Sequence, residues 1–98
     1  MPSHAPAYTA FTTETVLLLG QMIKLARLQR GMSEADLALR AHISRGTLQK
    51  IERGNMDVAV GHFFEASTLV GLQLFETDDL DRLQEHRTRI AGKIAAAN

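Results

Sequence analysis

Ser33 and Ser44 stand eleven residues apart, each at the head of a segment with helical apolar spacing. Serine is a favoured helix N-cap because its hydroxyl accepts a hydrogen bond from a first-turn amide. Two such caps this close leave room for a helix of about two turns, ending near Ala41, followed by a three-residue turn and another short helix. Most helix connections leave room for antiparallel neighbours. A turn this short forces the two helices to cross steeply, and that geometry restricts the fold more than anything else in the chain.

The residues from Glu34 to Arg53 suit a helix-turn-helix. Ala38 is small where the two helix axes approach. Leu37, Ile43, Leu48 and Ile51 are apolar at the spacing that buries one side of each helix. His42 falls in the turn, where a left-handed residue is usual, and His is among the more tolerant non-glycine residues there. On a helical wheel the side opposite Leu48 and Ile51 carries Gly46, Gln49, Lys50 and Arg53, with Arg45 at the N-terminal end. Arg and Lys can both reach the O6/N7 edge of guanine. The same face is also compatible with a solvated charged surface.

The remaining elements follow from caps and stops. A helix is expected from the Phe11–Glu14 segment, capped by a threonine hydroxyl, to about Arg30, with Gly31 as its left-handed end. Gly54 closes the third helix. A fourth covers roughly Ala59 to Val70 and ends at Gly71, and Thr77 or Asp78 caps a fifth running to about Ala96. Residues 1–11 hold both prolines within the first ten and read as a mobile tail. Strand-like alternation extends no further than Leu72 to Phe75. The chain is expected to be all-α.

Formal net charge is zero, but the charge is unevenly distributed. Lys24, Arg27, Arg30, Arg40, Arg45, Lys50 and Arg53 face only Glu34, Asp36 and Glu52 between positions 21 and 56. From Asp57 to Glu85 the balance reverses, with Arg82 the lone cation. A basic block followed by an acidic one can offer one cationic face to phosphates, although charge alone fits an ordinary mixed surface equally well.

Other chemistries find little support. Without cysteine there is no disulfide framework and no thiolate metal site. His4, His42, His62 and His86 are scattered without metal-ligand spacing, and no phosphate-cradling glycine loop follows a strand. No catalytic residue, cofactor or metal is expected, so the chain is not read as an enzyme. The apolar run Val16–Leu19 is too short to span a membrane and no secretory signal is visible, so a cytoplasmic location (bacterial cytoplasm or nucleoid) is expected.

From Leu19 to Leu74 the chain resembles the Cro/repressor-type (XRE) regulators. The stretch LGQMIKLARLQRGMSEADLALRAHISRGTLQKIERG follows their pattern, and Ile51–Gly54 is its most recognisable piece. The resemblance implies an all-α, five-helix repressor-like (lambda-repressor-like) DNA-binding domain over residues 12–76; the extra C-terminal helix over 77–98 rests on its cap and apolar spacing alone. It implies a homodimer on a palindromic operator in double-stranded DNA. Ser44, Arg45, Gly46, Gln49 and Lys50 would face the bases, with Arg45 and Lys50 the main readers. Phosphate contacts would fall to Thr47, Arg53 and Asn55, with the Ser44 hydroxyl also in reach. It further implies an internal salt bridge between Arg27 and Glu52. Relatives usually carry Gln at the first position of the second helix, where it contacts a phosphate. This chain has Glu34, a carboxylate that would repel one.

Val60, Phe63, Ala66 and Val70 follow a helical stripe whose plain reading is core packing. Phe63-Phe64 and the following LVGLQLF also resemble the Hip-type antitoxins, which implies a Hip-type kinase toxin as a partner. By that resemblance Leu72, Leu74 and Phe75 would join the dimer as a short strand or extended turn. Beyond Thr77 the family pattern gives no guide. Leu80, Leu83, Ile90 and Ile94 form a narrow apolar seam interrupted by Arg87. That seam could pack on its own chain, pair across a two-fold axis or bind a partner. Its acidic start (Asp78, Asp79, Asp81) and basic end (Arg87, Arg89, Lys93) suit the helix dipole and would favour antiparallel pairing of two such helices. The alternative to a regulator is an interaction module of the same fold with weak or no DNA binding.

Overall fold

The computed structural model describes residues 7–97 and contains five helices and, among those residues, no strand. They are α1 (Ala10–Gln29), α2 (Glu34–Arg40), α3 (Arg45–Glu52), α4 (Val60–Leu69) and α5 (Leu80–Ala97). Ser33 and Ser44 cap α2 and α3 as expected, accepting from Asp36 N and Thr47 N at 3.0 Å each. Gly31, Gly54 and Gly71 follow α1, α3 and α4 with φ of 67°, 73° and 79°.

The tight turn after α2 rests on His42, whose φ is 56°. In that conformation Ile43 N reaches Ala38 O at 3.0 Å and His42 N reaches Leu39 O at 3.2 Å. These two bonds satisfy carbonyls that the helix end would otherwise leave open, and they turn the chain within three residues.

The core comes from four helices. Ile23, Leu37, Ala38, Leu48, Ile51, Phe63, Ala66 and Val70 are buried together. Each large aliphatic or aromatic side chain among them contributes about 1.5–3 kcal/mol by leaving water. Ile43, Val16, Leu19 and Leu72 pack at its edge. α5 buries none of its residues.

Several boundaries differ from expectation. Thr9, not Thr12 or Thr13, caps α1, and its Oγ1 accepts from Thr12 N at 3.2 Å. Nothing in Ala10 or Phe11 stops a helix, so α1 extends back to the first hydroxyl upstream. Residues 10 and 11 are therefore helical rather than tail, and residues 1–6 of the expected tail lie outside the described residues. Asp79 heads α5, its Oδ1 accepting from Asp81 N at 2.9 Å, while the Thr77 hydroxyl turns the chain just before it. Leu72 to Phe75 runs without strand pairing, because a single chain offers that segment no edge to bond. Val60 is 68% exposed: as the first residue of α4 it points away from the core that Phe63, Ala66 and Val70 enter.

Gly20 sets how closely α1 approaches α3. A Cβ at this position would lie 2.5 Å from Ile51 O and 2.9 Å from Glu52 O, so α1 rests directly on the backbone at the end of α3. Those neighbours are main-chain atoms and cannot rotate aside. Gly20→Ala is therefore expected to destabilise the domain by about 1–3 kcal/mol despite its better helix propensity, which thermal unfolding will measure. An unchanged melting temperature would refute the close approach.

Candidate nucleic-acid interface

α3 is held from behind by its apolar side and by one ion pair. Leu48 and Ile51 are fully buried. Arg27, on α1, donates from Nε to Glu52 Oε2 at 2.7 Å and from Nη2 to Glu52 Oε1 at 3.0 Å. Its third nitrogen, Nη1, donates to Met32 O at 2.9 Å in the α1–α2 connection. The guanidinium thus ties together α1, the following loop and α3. Both side chains are about 95% shielded from solvent (6% and 5% exposed). The hydrogen bonds to Glu52 push Arg27 above its ordinary pKa, against the opposing effect of burial.

The outward side of α3 is open. Ser44, Arg45, Gly46 and Lys50 are exposed, and Thr47 and Gln49 are half-buried. The structure brings these residues together on one short helix. Arg53 follows at its exposed C-cap, and Asn55 lies in the loop beyond. Several of these side chains are already engaged within the chain. Ser44 Oγ caps the helix and donates to Thr47 Oγ1 at 2.9 Å, and Asn55 Oδ1 accepts from Asp57 N at 2.7 Å. At Gly46 an added Cβ would meet only Ser44 Oγ at 3.8 Å, so the backbone there is uncovered.

Glu34 does more than withdraw a contact. Its Oε1 accepts from Arg45 Nη2 at 3.1 Å. The Arg45 guanidinium, with help from Gln49, holds the Glu34 carboxyl below the usual carboxylate range. Glu34 and Arg45 occupy equivalent places, each the residue after a serine cap, and the steep crossing brings those helix starts together. A cation in the first turn of α3 opposes the helix dipole, and the carboxylate compensates it. The spacing of the two caps was the signal for this pair in the sequence.

The seam residues stay apart from this face. Leu72, Leu74 and Leu83 are half-buried, while Phe75, Leu80, Ile90 and Ile94 are exposed at 61%, 66%, 42% and 61%. Among the described residues no group of three His, Cys, Asp or Glu side chains could hold a metal ion, and no helix is long and apolar enough to cross a membrane.

Residues 23–74, more than half of the chain, match the helix-turn-helix family. The chain belongs to the XRE-type helix-turn-helix family. Membership brings the coarse function with it, that of a DNA-binding transcriptional regulator. No curated protein matches the chain. Two solved structures share this helix-turn-helix fold. An MDT protein is 22% identical with a TM-score of 0.56, over 76% of this chain and 96% of its own. A HipB variant in a complex with an O2 20mer is 24% identical with a TM-score of 0.56, over 78% of this chain and 97% of its own. The repressor-like, all-α architecture inferred from the sequence is the architecture observed.

The buried pair generates a prediction for this scaffold. Arg27→Ala would leave Glu52 charged and unpaired in the interior, at a cost of about 3–5 kcal/mol. The double replacement Arg27→Met with Glu52→Leu should recover most of that loss, because neither charge then remains buried. Denaturant unfolding of the three chains checks both statements.

Proposed function

We propose that this regulator is a cytoplasmic autorepressor that binds a palindromic operator as a homodimer. Each protomer lays α3 in the major groove of one half-site. Arg45, Lys50 and Gln49 read base edges, the uncovered backbone at Gly46 allows close approach, and Ser44 lies at the groove edge. Thr47, Arg53, Asn55 and the helix N-terminal amides take the phosphates. The observation that carries this reading is the two-sidedness of α3. Its apolar side is anchored on Leu48 and Ile51, and its other side presents Arg45, Gly46 and Lys50 uncovered. One short helix reads few base pairs, so two half-sites about 34 Å apart supply the specificity. We assign residues 12–76 to DNA and residues 77–98 to assembly. The likeness to the HipB variant supports an antitoxin-like sub-class, whose partner would be a Hip-type kinase toxin.

A second reading, an interaction module with weak DNA binding, draws on the Glu34–Arg45 ion pair. That carboxylate occupies a cation on the reading helix and repels nearby phosphates. Retardation of promoter-proximal duplexes at graded salt separates the readings. A DNA reader loses affinity steeply as salt rises, and Lys50→Ala relaxes its sequence preference, with about 1–3 kcal/mol lost at the cognate base. If no duplex is retarded even at low salt, the module reading replaces the first.

Glu34→Gln tests the electrostatic role directly. Losing one negative charge beside the phosphates and freeing Arg45 should tighten low-salt DNA binding by roughly threefold to tenfold and steepen its salt dependence. A variant that binds more weakly than the parent would show that Glu34 assists the contact.

A further inference from the structure

α1 is apolar on two sides. One side, with Gly20, Ile23 and Arg27, enters the domain. The other carries Phe11, Leu18, Met22 and Leu25, exposed at 82%, 55%, 40% and 56%. At 100° per residue these four positions fall within a strip about 60° wide, roughly opposite the buried side. Among the described residues nothing covers it. α5 has the complementary peculiarity of an apolar seam and no buried residue. The radius of gyration is 16.1 Å, against about 13 Å for a compact chain of this length, so α5 projects from the body as an arm.

The two faces share one spacing read in opposite directions. Phe11, Leu18, Met22 and Leu25 are separated by seven, four and three residues, and so are Ile94, Arg87, Leu83 and Leu80. Laid antiparallel, Phe11 meets Ile94, Thr15 meets Ile90, Leu18 meets Arg87, Met22 meets Leu83 and Leu25 meets Leu80. Each stripe is about 21 Å long at 1.5 Å per residue. We propose that α5 of one copy packs antiparallel on the outer face of α1 of a second copy, and reciprocally, so that the homodimer is an exchange of C-terminal arms. The inference rests on the homodimer reading given under the proposed function.

Charge favours this occupant over the simpler ones. Arg87 lies midway between Leu80 and Ile94, so two α5 helices paired with each other, parallel or antiparallel, set Arg87 against Arg87. On α1 the same side chain meets Leu18, with Glu14 one turn away on the flank of the stripe as its carboxylate partner. Exchange doubles what one arm can bury, moving the contact toward the ~1,600 Å² of a standard interface. The contact is isologous, as a two-fold dimer requires.

The chain has no cysteine, so introduced cysteines report without background. Chains carrying Phe11→Cys and chains carrying Ile94→Cys, refolded together and mildly oxidised, are expected to give a disulfide-linked dimer that neither gives alone. Leu18→Asp in the otherwise unchanged chain should weaken dimerisation by roughly tenfold or more. Three results overturn the proposal. Leu18→Cys linking to itself would indicate paired α1 helices, Arg87→Cys linking to itself would indicate paired α5 helices, and a Phe11→Cys/Ile94→Cys chain closing at monomer mass would place the arm on its own body. Light scattering on the full chain keeps the two claims distinct. A monomer refutes the homodimer as well, whereas a dimer with a different linkage pattern refutes only the arm exchange.

Discussion

Glu52 is fixed from two directions at once, and the position of α3 follows from that. Its carboxylate receives the forked guanidinium of Arg27, while its backbone carbonyl lies under Gly20 of the same helix. The first contact requires α1 to bring a long charged side chain inward, and the second requires it to have no side chain at all two turns earlier on the same face. Gly20 and Arg27 are seven residues apart, two turns, so both act on one side of α1 and both bear on the last turn of α3. A buried ion pair is a poor source of net stability, since desolvation cancels most of its attraction. Its directional hydrogen bonds, however, admit one register of α1 against α3, where an apolar contact would tolerate sliding. With Arg27 also bound to Met32 O, the same side chain fixes the loop that leads into α2.

At its other end α3 depends on charge placed at the surface. Arg45 begins the helix where the backbone is already positive, and Glu34 begins α2 where a carboxylate is favoured. Joining them leaves the exposed face with less positive charge than its residue count suggests. Sequence preference and overall affinity are thereby separated. The hydrogen-bonding edge of Arg45 stays half-oriented by a neighbour, and in the proposed complex the long-range pull on phosphates would fall chiefly to Lys50 and Arg53. Under the proposed homodimer reading, such a regulator relies on pairing two half-sites rather than on the strength of either.

How much of this could be read beforehand depends on whether the cause was local. The ends of α2, α3 and α4 and the stop after α1 were legible, because a serine hydroxyl or a left-handed glycine acts within four residues of itself. His42 was legible for the same reason. Thr9 and Asp79 were not singled out, since adjacent hydroxyl and carboxylate residues compete and the choice depends on how far each helix continues. Val60 fits the apolar stripe on a wheel, but the crossing of α4 with its neighbours decides where that stripe begins. Gly20 and the Glu34–Arg45 pair depend on contacts between helices. For these the sequence offers only indirect signs, a glycine inside a helix and two caps at a short interval. Along α1, apolar residues on both sides blur the helical periodicity, so the outer strip did not stand apart from the core-facing one.

The two ends of the chain bear differently on stability. Helices α1 to α4 close a core of their own, and the ion pair lies inside it, so the helix-turn-helix body holds together without α5. An eighteen-residue helix with no buried residue is marginal in water by itself, even with Asp79 and Asp81 at its positive end. Its helical state therefore gains from whatever covers Leu80, Leu83, Ile90 and Ile94. If a second copy supplies that cover, folding of the arm and association become one equilibrium, governed by protein concentration. Operator occupancy then rises with roughly the square of the amount of chain at low concentration, because two protomers must meet before two half-sites are read. For the proposed autorepressor such a dependence would sharpen feedback, and its origin would be an apolar seam left unsatisfied by the fold that carries it.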